Sequence, residues 1–134
     1  MQDFTHLGVW RKAHALTLAV YHATQRVRQR DFPGLVPQLR RSAASIPANI
    51  AEGCGHATQR ELACFLQIAM ASAFELEYHL ILAADLGTLP SSAASSLRRD
   101  VREVKRMLTG LIKSVRKQAE RDETRSEGPR DTDD

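Results

Sequence analysis

Apolar residues recur along this chain at alternating steps of three and four, in four runs separated by short polar or glycine- and proline-bearing segments. Such steps keep side chains on one face of a helix, so the pattern predicts four amphipathic helices. The first is expected from about Asp3 to Arg30, with Val9, Ala13, Leu16, Val20, Ala23 and Val27 on its stripe. Trp10 lies beside that stripe as an anchor between helices. Leu18 and Tyr21 fall toward its back, where apolar residues mark a second contact surface. The second helix opens near Gly34 or Leu35, carries Val36, Leu39, Ala43, Ile46 and Ile50, and is expected to stop at Gly53 and Gly55. Pro37 suits its first turn, but Pro47 falls inside it and denies the Ala43 carbonyl a partner. A kink without a break is expected, with Ser45 or a neighbouring helix serving the freed group.

Thr58 and Glu61 form a capping box at the start of the third helix. Its stripe is Leu62, Leu66, Ala69, Ala73, Leu76, Leu80 and Ala83, widened by Phe65, Ile68 and Leu82, and Gly87 closes it. The fourth helix follows Leu89 to Ser92 with Ala94, Leu97, Val101, Val104, Leu108, Leu111 and Val115. From about Gln118 the period fails and the chain becomes polar and mixed in charge, which predicts a disordered tail. Short loops imply antiparallel neighbours. The expected fold is therefore all-α, an antiparallel up-down four-helix bundle over residues 1–117, with a polar tail over 118–134.

The second helix is unusually poor in charge. Between Leu35 and Gly55 only Arg40, Arg41 and Glu52 are charged, and the face behind the stripe is Arg41, Ala44, Ser45, Ala48, Ala51 and Glu52. Small residues let another backbone come close, and a four-helix bundle of this size has no further layer to cover them. A subunit interface is the leading expectation, with an alanine-rich solvent face as the plain alternative.

Composition agrees with one helical domain: 134 residues, 43% hydrophobic and only 5% aromatic. The formal charge is +3, but residues 1–115 carry 14 Lys/Arg against 9 Asp/Glu, and residues 116–134 carry 5 against 7. The bundle itself is thus the basic part, a mild lean toward anionic partners. Two cysteines, Cys54 and Cys64, make no disulfide framework and are read as small packing residues. No signal-peptide pattern and no membrane span stand out, so a cytoplasmic protein is expected.

Little in the chain suggests catalysis. The Glu-x-x-His spacing of di-iron bundles is absent, Glu75 and His79 read as a surface pair, and no phosphate loop or nucleophile set can be assigned. No enzyme, metal or cofactor is expected. What remains is binding: Arg99, Arg102, Arg106, Lys113 and Arg116 lie on the fourth helix opposite its core stripe. Such a row serves as a solvated face or as a track for phosphates, and it strengthens if subunits repeat it around a ring. The aromatic residues place no stacking platform beside it, so contact with backbone and shape is expected.

LVPQLRRSAASIPANIAEGCG, from Leu35 to Gly55, is similar to the signature of the 23S ribosomal RNA intervening-sequence proteins, the S23 four-helix-bundle family. Phe4, Leu7, Val9, Trp10, Lys12 and Ala13 resemble the family's N-terminal pattern, and Glu61, Phe65, Leu66, Ile68, Ala69, Ser72, Glu75, Leu76, Glu77, Leu80, Leu86 and Gly87 resemble its third helix. Likeness thus covers about residues 4–87. It implies a four-helix bundle, a ring of five subunits and no established enzymatic activity. It also brings in a related protein, the accessory variability determinant of diversity-generating retroelements, a basic pentamer that works with a reverse transcriptase and RNA. Structured RNA or a reverse transcriptase is the partner class this implies. Arg40, Arg41, Asn49 and Glu52 match the signature and are expected to serve assembly, together with Ala44, Ala48 and Ala51. Pro37, Cys54 and His56 depart from it, and His56 in place of a common Arg or Lys weakens any phosphate site at that turn. A homo-oligomer that binds RNA or a ribonucleoprotein is the expected function, and a protein-protein scaffold ring is the alternative.

Overall fold

The computed structural model describes residues 3–28 and 30–128. A short 3₁₀ turn, Phe4–His6, precedes four α-helices: α1 Gly8–Thr24, α2 Leu35–Cys54, α3 Gln59–Asp85 and α4 Ser91–Ser126. Consecutive helices pack on one another, α4 closes back onto α1, and the diagonal pairs do not meet. This is the antiparallel up-down bundle that short loops produce. Its core is aliphatic: Leu16, Leu39, Ile46, Ile50, Leu66, Leu76, Leu80 and Leu108 are essentially free of solvent. On α4 the buried position after Leu108 is Ile112, while Leu111, expected on the stripe, is only partly buried.

The helix limits differ from the apolar pattern at both ends of the chain. Asp3 accepts from the Thr5 N–H at 3.0 Å and starts the 3₁₀ turn, after which Leu7 is extended and α1 begins anew. Trp10 packs on Phe4 with centroids 5.1 Å apart and stacks on His14 at 5.0 Å, tying this turn to α1. α1 ends at Thr24, earlier than expected, and side chains approach the carbonyls of its last turn. The Thr24 hydroxyl donates to Val20 and lies 3.2 Å from the Tyr21 carbonyl, which the Arg40 guanidinium also approaches. At the other end α4 continues to Ser126, through much of the segment expected as a tail. Apolar periodicity reports burial, not helicity; residues 118–126 are rich in good helix formers. Gln118 donates to Asp122 at 3.0 Å, and Arg60 of α3 reaches Glu123 at 3.4 Å. Residues 129–134 of that expected tail lie outside the described residues.

Within α2 the helix passes through Pro47 unbroken. The stranded Ala43 carbonyl lies 3.1 Å from the Thr17 hydroxyl of α1, which also approaches its own Ala13 carbonyl at 2.9 Å. A neighbouring helix therefore serves the freed group, while Ser45 is engaged with Ser72 of α3 at 2.8 Å. Gly55 caps the end of α2 as expected, but Gly53 lies inside the helix. A methyl group there would stand 2.8 Å from Phe65 Cβ and 2.9 Å from Leu62 Cδ1, so the glycine lets α3 come against α2. Gly87, in contrast, does close α3: it has φ +75°, Thr88 donates to the Ala83 carbonyl at 3.0 Å and Gly87 to Ala84 at 3.1 Å.

Only half of the expected capping box forms. Thr58 Oγ1 accepts from the Glu61 N–H at 3.1 Å, but the Glu61 carboxylate turns to His56, whose Nδ1 lies 2.6 Å away. That hydrogen bond, and after it the nearby Thr58 hydroxyl, holds the Glu61 carboxyl below the usual glutamate value. A carboxyl depressed in the folded state adds stability above its unfolded pKa and loses it as pH falls through the lowered value. An NMR titration should place Glu61 below an ordinary glutamate, and His56→Ala should move it back; an unshifted Glu61 in both proteins would contradict the contact. For the proline site, Thr17→Val removes the donor and leaves a buried carbonyl unpaired. It should cost about 1–3 kcal/mol in urea denaturation with native helicity retained, and no loss would show that the carbonyl is satisfied otherwise.

Candidate nucleic-acid interface

The basic residues expected on α4 all reach the surface. Arg99, Arg102, Arg106, Lys113 and Arg116 are exposed, because the seven-residue apolar period buries the opposite side of the helix. Their surroundings divide them. Arg106 grips Glu103 with two hydrogen bonds, 3.0 and 2.6 Å, which lowers the glutamate pKa and raises that of the arginine. Arg102 Nε comes within 3.5 Å of Glu77 Oε2 on α3 without completing a hydrogen bond. Arg99, Lys113 and Arg116 have no carboxylate within ion-pair distance among the described residues.

The sequence pattern missed three residues of this face. Lys105 lies at the α3 edge of α4, with Nζ 3.1 Å from Glu77 Oε1 and 4.0 Å from the Phe74 ring centroid. Phe74 stands on α3 beside it, and Tyr78 lies one turn further along α3 with its ring edge-on to His79, centroids 5.8 Å apart; each is 59% exposed. An aromatic ring therefore does stand beside the basic helix, where none was expected. A signal existed: these two aromatics are four residues apart and fit no position of the α3 apolar stripe. What sequence alone lacked was the antiparallel pairing that brings Phe74 against the basic helix. Farther along the same seam, Gln67 and Met70 of α3 and Thr109, Ile112, Lys113 and Arg116 of α4 line a shallow groove.

The residues expected at a subunit interface lie on and around the outward side of α2. Ala48 and Glu52 are exposed, and Ala44 and Ala51 are half-buried. Arg40 is engaged within the chain, donating to Thr24 Oγ1 at 3.0 Å with its guanidinium 4.7 Å from the centre of the Tyr21 ring. Arg41 bonds Gln38 and reaches Glu75 of α3 at 3.1 Å. Asn49 donates to the Ser45 carbonyl at 2.8 Å. The strip is bordered by apolar surface: Leu18 and Tyr21 on the α1 side are 48% and 44% exposed. Ile68 shares the α2-facing edge of α3 with Ser72 and Glu75, and it is also exposed.

Other candidate chemistry disperses. Glu75 turns to Arg41, so the expected Glu75–His79 pair does not form, and His79 Nδ1 is buried with no hydrogen-bond partner among the described residues. Cys54 is buried, which raises its thiol pKa, but Cys64 is exposed and is not the packing residue expected. Among the described residues no group of three or more His, Cys, Asp or Glu is placed to hold a metal ion. No helix among them is long and apolar enough to cross a membrane.

Comparison with known proteins agrees with this architecture. A family model described as 23S rRNA-intervening sequence protein matches residues 5–110, extending past the third helix into α4. A crystal structure of a protein with unknown function, from the S23 ribosomal protein family of Bacteroides thetaiotaomicron, is similar with a TM-score of 0.73 and 25% sequence identity. The similarity covers 78% of this chain and 98% of that one. No curated protein matches.

Proposed function

The chain belongs to the 23S rRNA-intervening sequence protein family, and from that premise we propose that it acts by binding and not by catalysis, as a homo-oligomer that holds RNA or a ribonucleoprotein on the basic face of α4. A ring of five subunits, with structured RNA or a reverse transcriptase as partner, is the form the family resemblance suggests, and the cytoplasm is the compartment the sequence pattern suggests. The observation that carries this reading is the outward row on α4, in which Arg99, Lys113 and Arg116 have no carboxylate partner among the described residues. Cations without a local partner gain most from an incoming phosphate, since counterions and water are all that must be displaced. Repetition of the row around an oligomer would multiply that field.

Assembly is supported by α2. Its outward strip is small and uncharged at Ala44, Ala48 and Ala51, and exposed Leu18, Tyr21 and Ile68 border it. Burying such a patch against a second copy removes apolar surface from water, and the alanines let the backbones approach. Arg40 and Arg41 are held within one chain, so they would shape this patch and leave the apolar residues to make the contact.

One observation favours the scaffold reading in which the ring recruits a protein: Arg102 and Arg106 already face Glu77 and Glu103. Filter binding against a structured RNA separates the two. The wild type should bind with a steep salt dependence, and Arg99→Gln, Lys113→Gln and Arg116→Gln together should weaken binding and reduce the log-log slope by about 2–3. Absence of salt-dependent binding would reject the RNA reading and favour the scaffold. For assembly, Ala48→Glu should lower the sedimenting mass with helicity unchanged, since Ala48 is exposed in one chain and glutamate is tolerated there. An unaltered oligomer, or a monomeric wild type, would reject α2 as the interface.

A further inference from the structure

We propose that the seam between α3 and α4 is a track for unpaired RNA, whose bases stack on Phe74 and Tyr78 while its phosphates meet the cations of α4. This rests on the RNA reading above and narrows it to single-stranded nucleotides.

Phe74 and Tyr78 are one helical turn apart on the same edge of α3, each 59% exposed. Aromatic surface of that extent gains from being covered, and a flat π-face is offered where a base can lie. Lys105 steadies the phenylalanine from one side, its ammonium 4.0 Å from the ring centroid. Glu77, whose side chain is 18% exposed, binds Lys105 at 3.1 Å but reaches Arg102 only at 3.5 Å. Arg102 is 59% exposed, and its ion pair with Glu77 lacks a hydrogen bond, so little is given up when the guanidinium fork turns to a phosphate. Along the same seam the groove continues to Gln67, Lys113 and Arg116. Tyr78 and Gln67 are about 16 Å apart along α3 at 1.5 Å per residue. Aromatic rings at one end and unpartnered cations at the other thus lie on one line.

Charge and position favour this occupant over a second copy of the chain. The exposed aliphatic residues Leu18 and Ile68 border the alanine strip of α2, whereas Phe74 stands about 120° around α3 from Ile68. A contact centred on α2 leaves Phe74 uncovered, and the cations beside it repel their own copies. A duplex keeps its base faces stacked inside; only unpaired bases present them to a protein ring.

The test uses the full chain and two fluorescein-labelled RNAs of equal charge, an unpaired oligoadenylate and a hairpin whose stem is closed by a compact, self-stacked tetraloop, with affinity read by anisotropy. Phe74→Ala combined with Tyr78→Ala should weaken the unpaired strand about tenfold or more, the loss expected for removed stacking. Hairpin affinity and the salt slope should stay unchanged. Tyr78→Phe keeps the ring and should retain the wild-type affinity. An undiminished affinity for the oligoadenylate, or an equal loss on both RNAs, overturns the stacking track and leaves the RNA reading standing. Failure of the wild type to bind either RNA overturns both. A fall in the sedimenting mass of the double variant would assign the pair to a subunit contact and overturn the track.

Discussion

The Ala43 carbonyl has no partner in its own helix, because Pro47 has no N–H to offer it. A buried carbonyl must still be served, so α1 has to present Thr17 within hydrogen-bonding distance. That single requirement sets how α1 lies against α2. Two turns farther along α1 the same edge repeats the device, with Arg40 of α2 donating to Thr24 and covering Tyr21. On the other flank, Gly53 admits Leu62 and Phe65, and Ser45 meets Ser72. The central helix is thus clamped from both sides by contacts that tolerate little displacement, and α4 completes the square against α1 and α3.

This clamping decides which surfaces are left. With both sides of α2 occupied by its neighbours, the outward strip is Ala44, Ala48 and Ala51 with the charged Arg41 and Glu52 beside them, and exposed aliphatic and aromatic residues lie at its borders. On the far side of the bundle α4 carries the cations, partly offset by Glu77 and Glu103. The two surfaces are separated around the bundle, so an assembly contact on one and a ligand on the other need not compete. Local pairing also changes what the outward row means: it holds five cations, but those held by a carboxylate give less to a phosphate than those without one.

Much of the architecture was legible in the residues themselves. Four apolar periods predicted four helices, the Pro47 problem was visible with a neighbouring helix as its remedy, and the outward cations of α4 were assigned to their face. Each of these depends on spacing within one helix, where geometry is nearly invariant. The resemblance carried by Leu35–Gly55 agrees with the family match over residues 5–110.

What sequence left open depends on where a second helix stands. Gly53 reads as a stop until Phe65 is seen against it, and the Glu61 side chain reads as half of a capping box until His56 is within 2.6 Å. Phe74 and Tyr78 belong to no apolar stripe, and only the α3–α4 register places Phe74 beside Lys105. The continuation of α4 to Ser126 has the same cause in reverse: the apolar period ends when burial ends, while backbone hydrogen bonds carry the helix on. Periodicity therefore determined which residues share a face, and tertiary packing alone decided what each face meets, because that depends on the relative position of helices far apart in the chain.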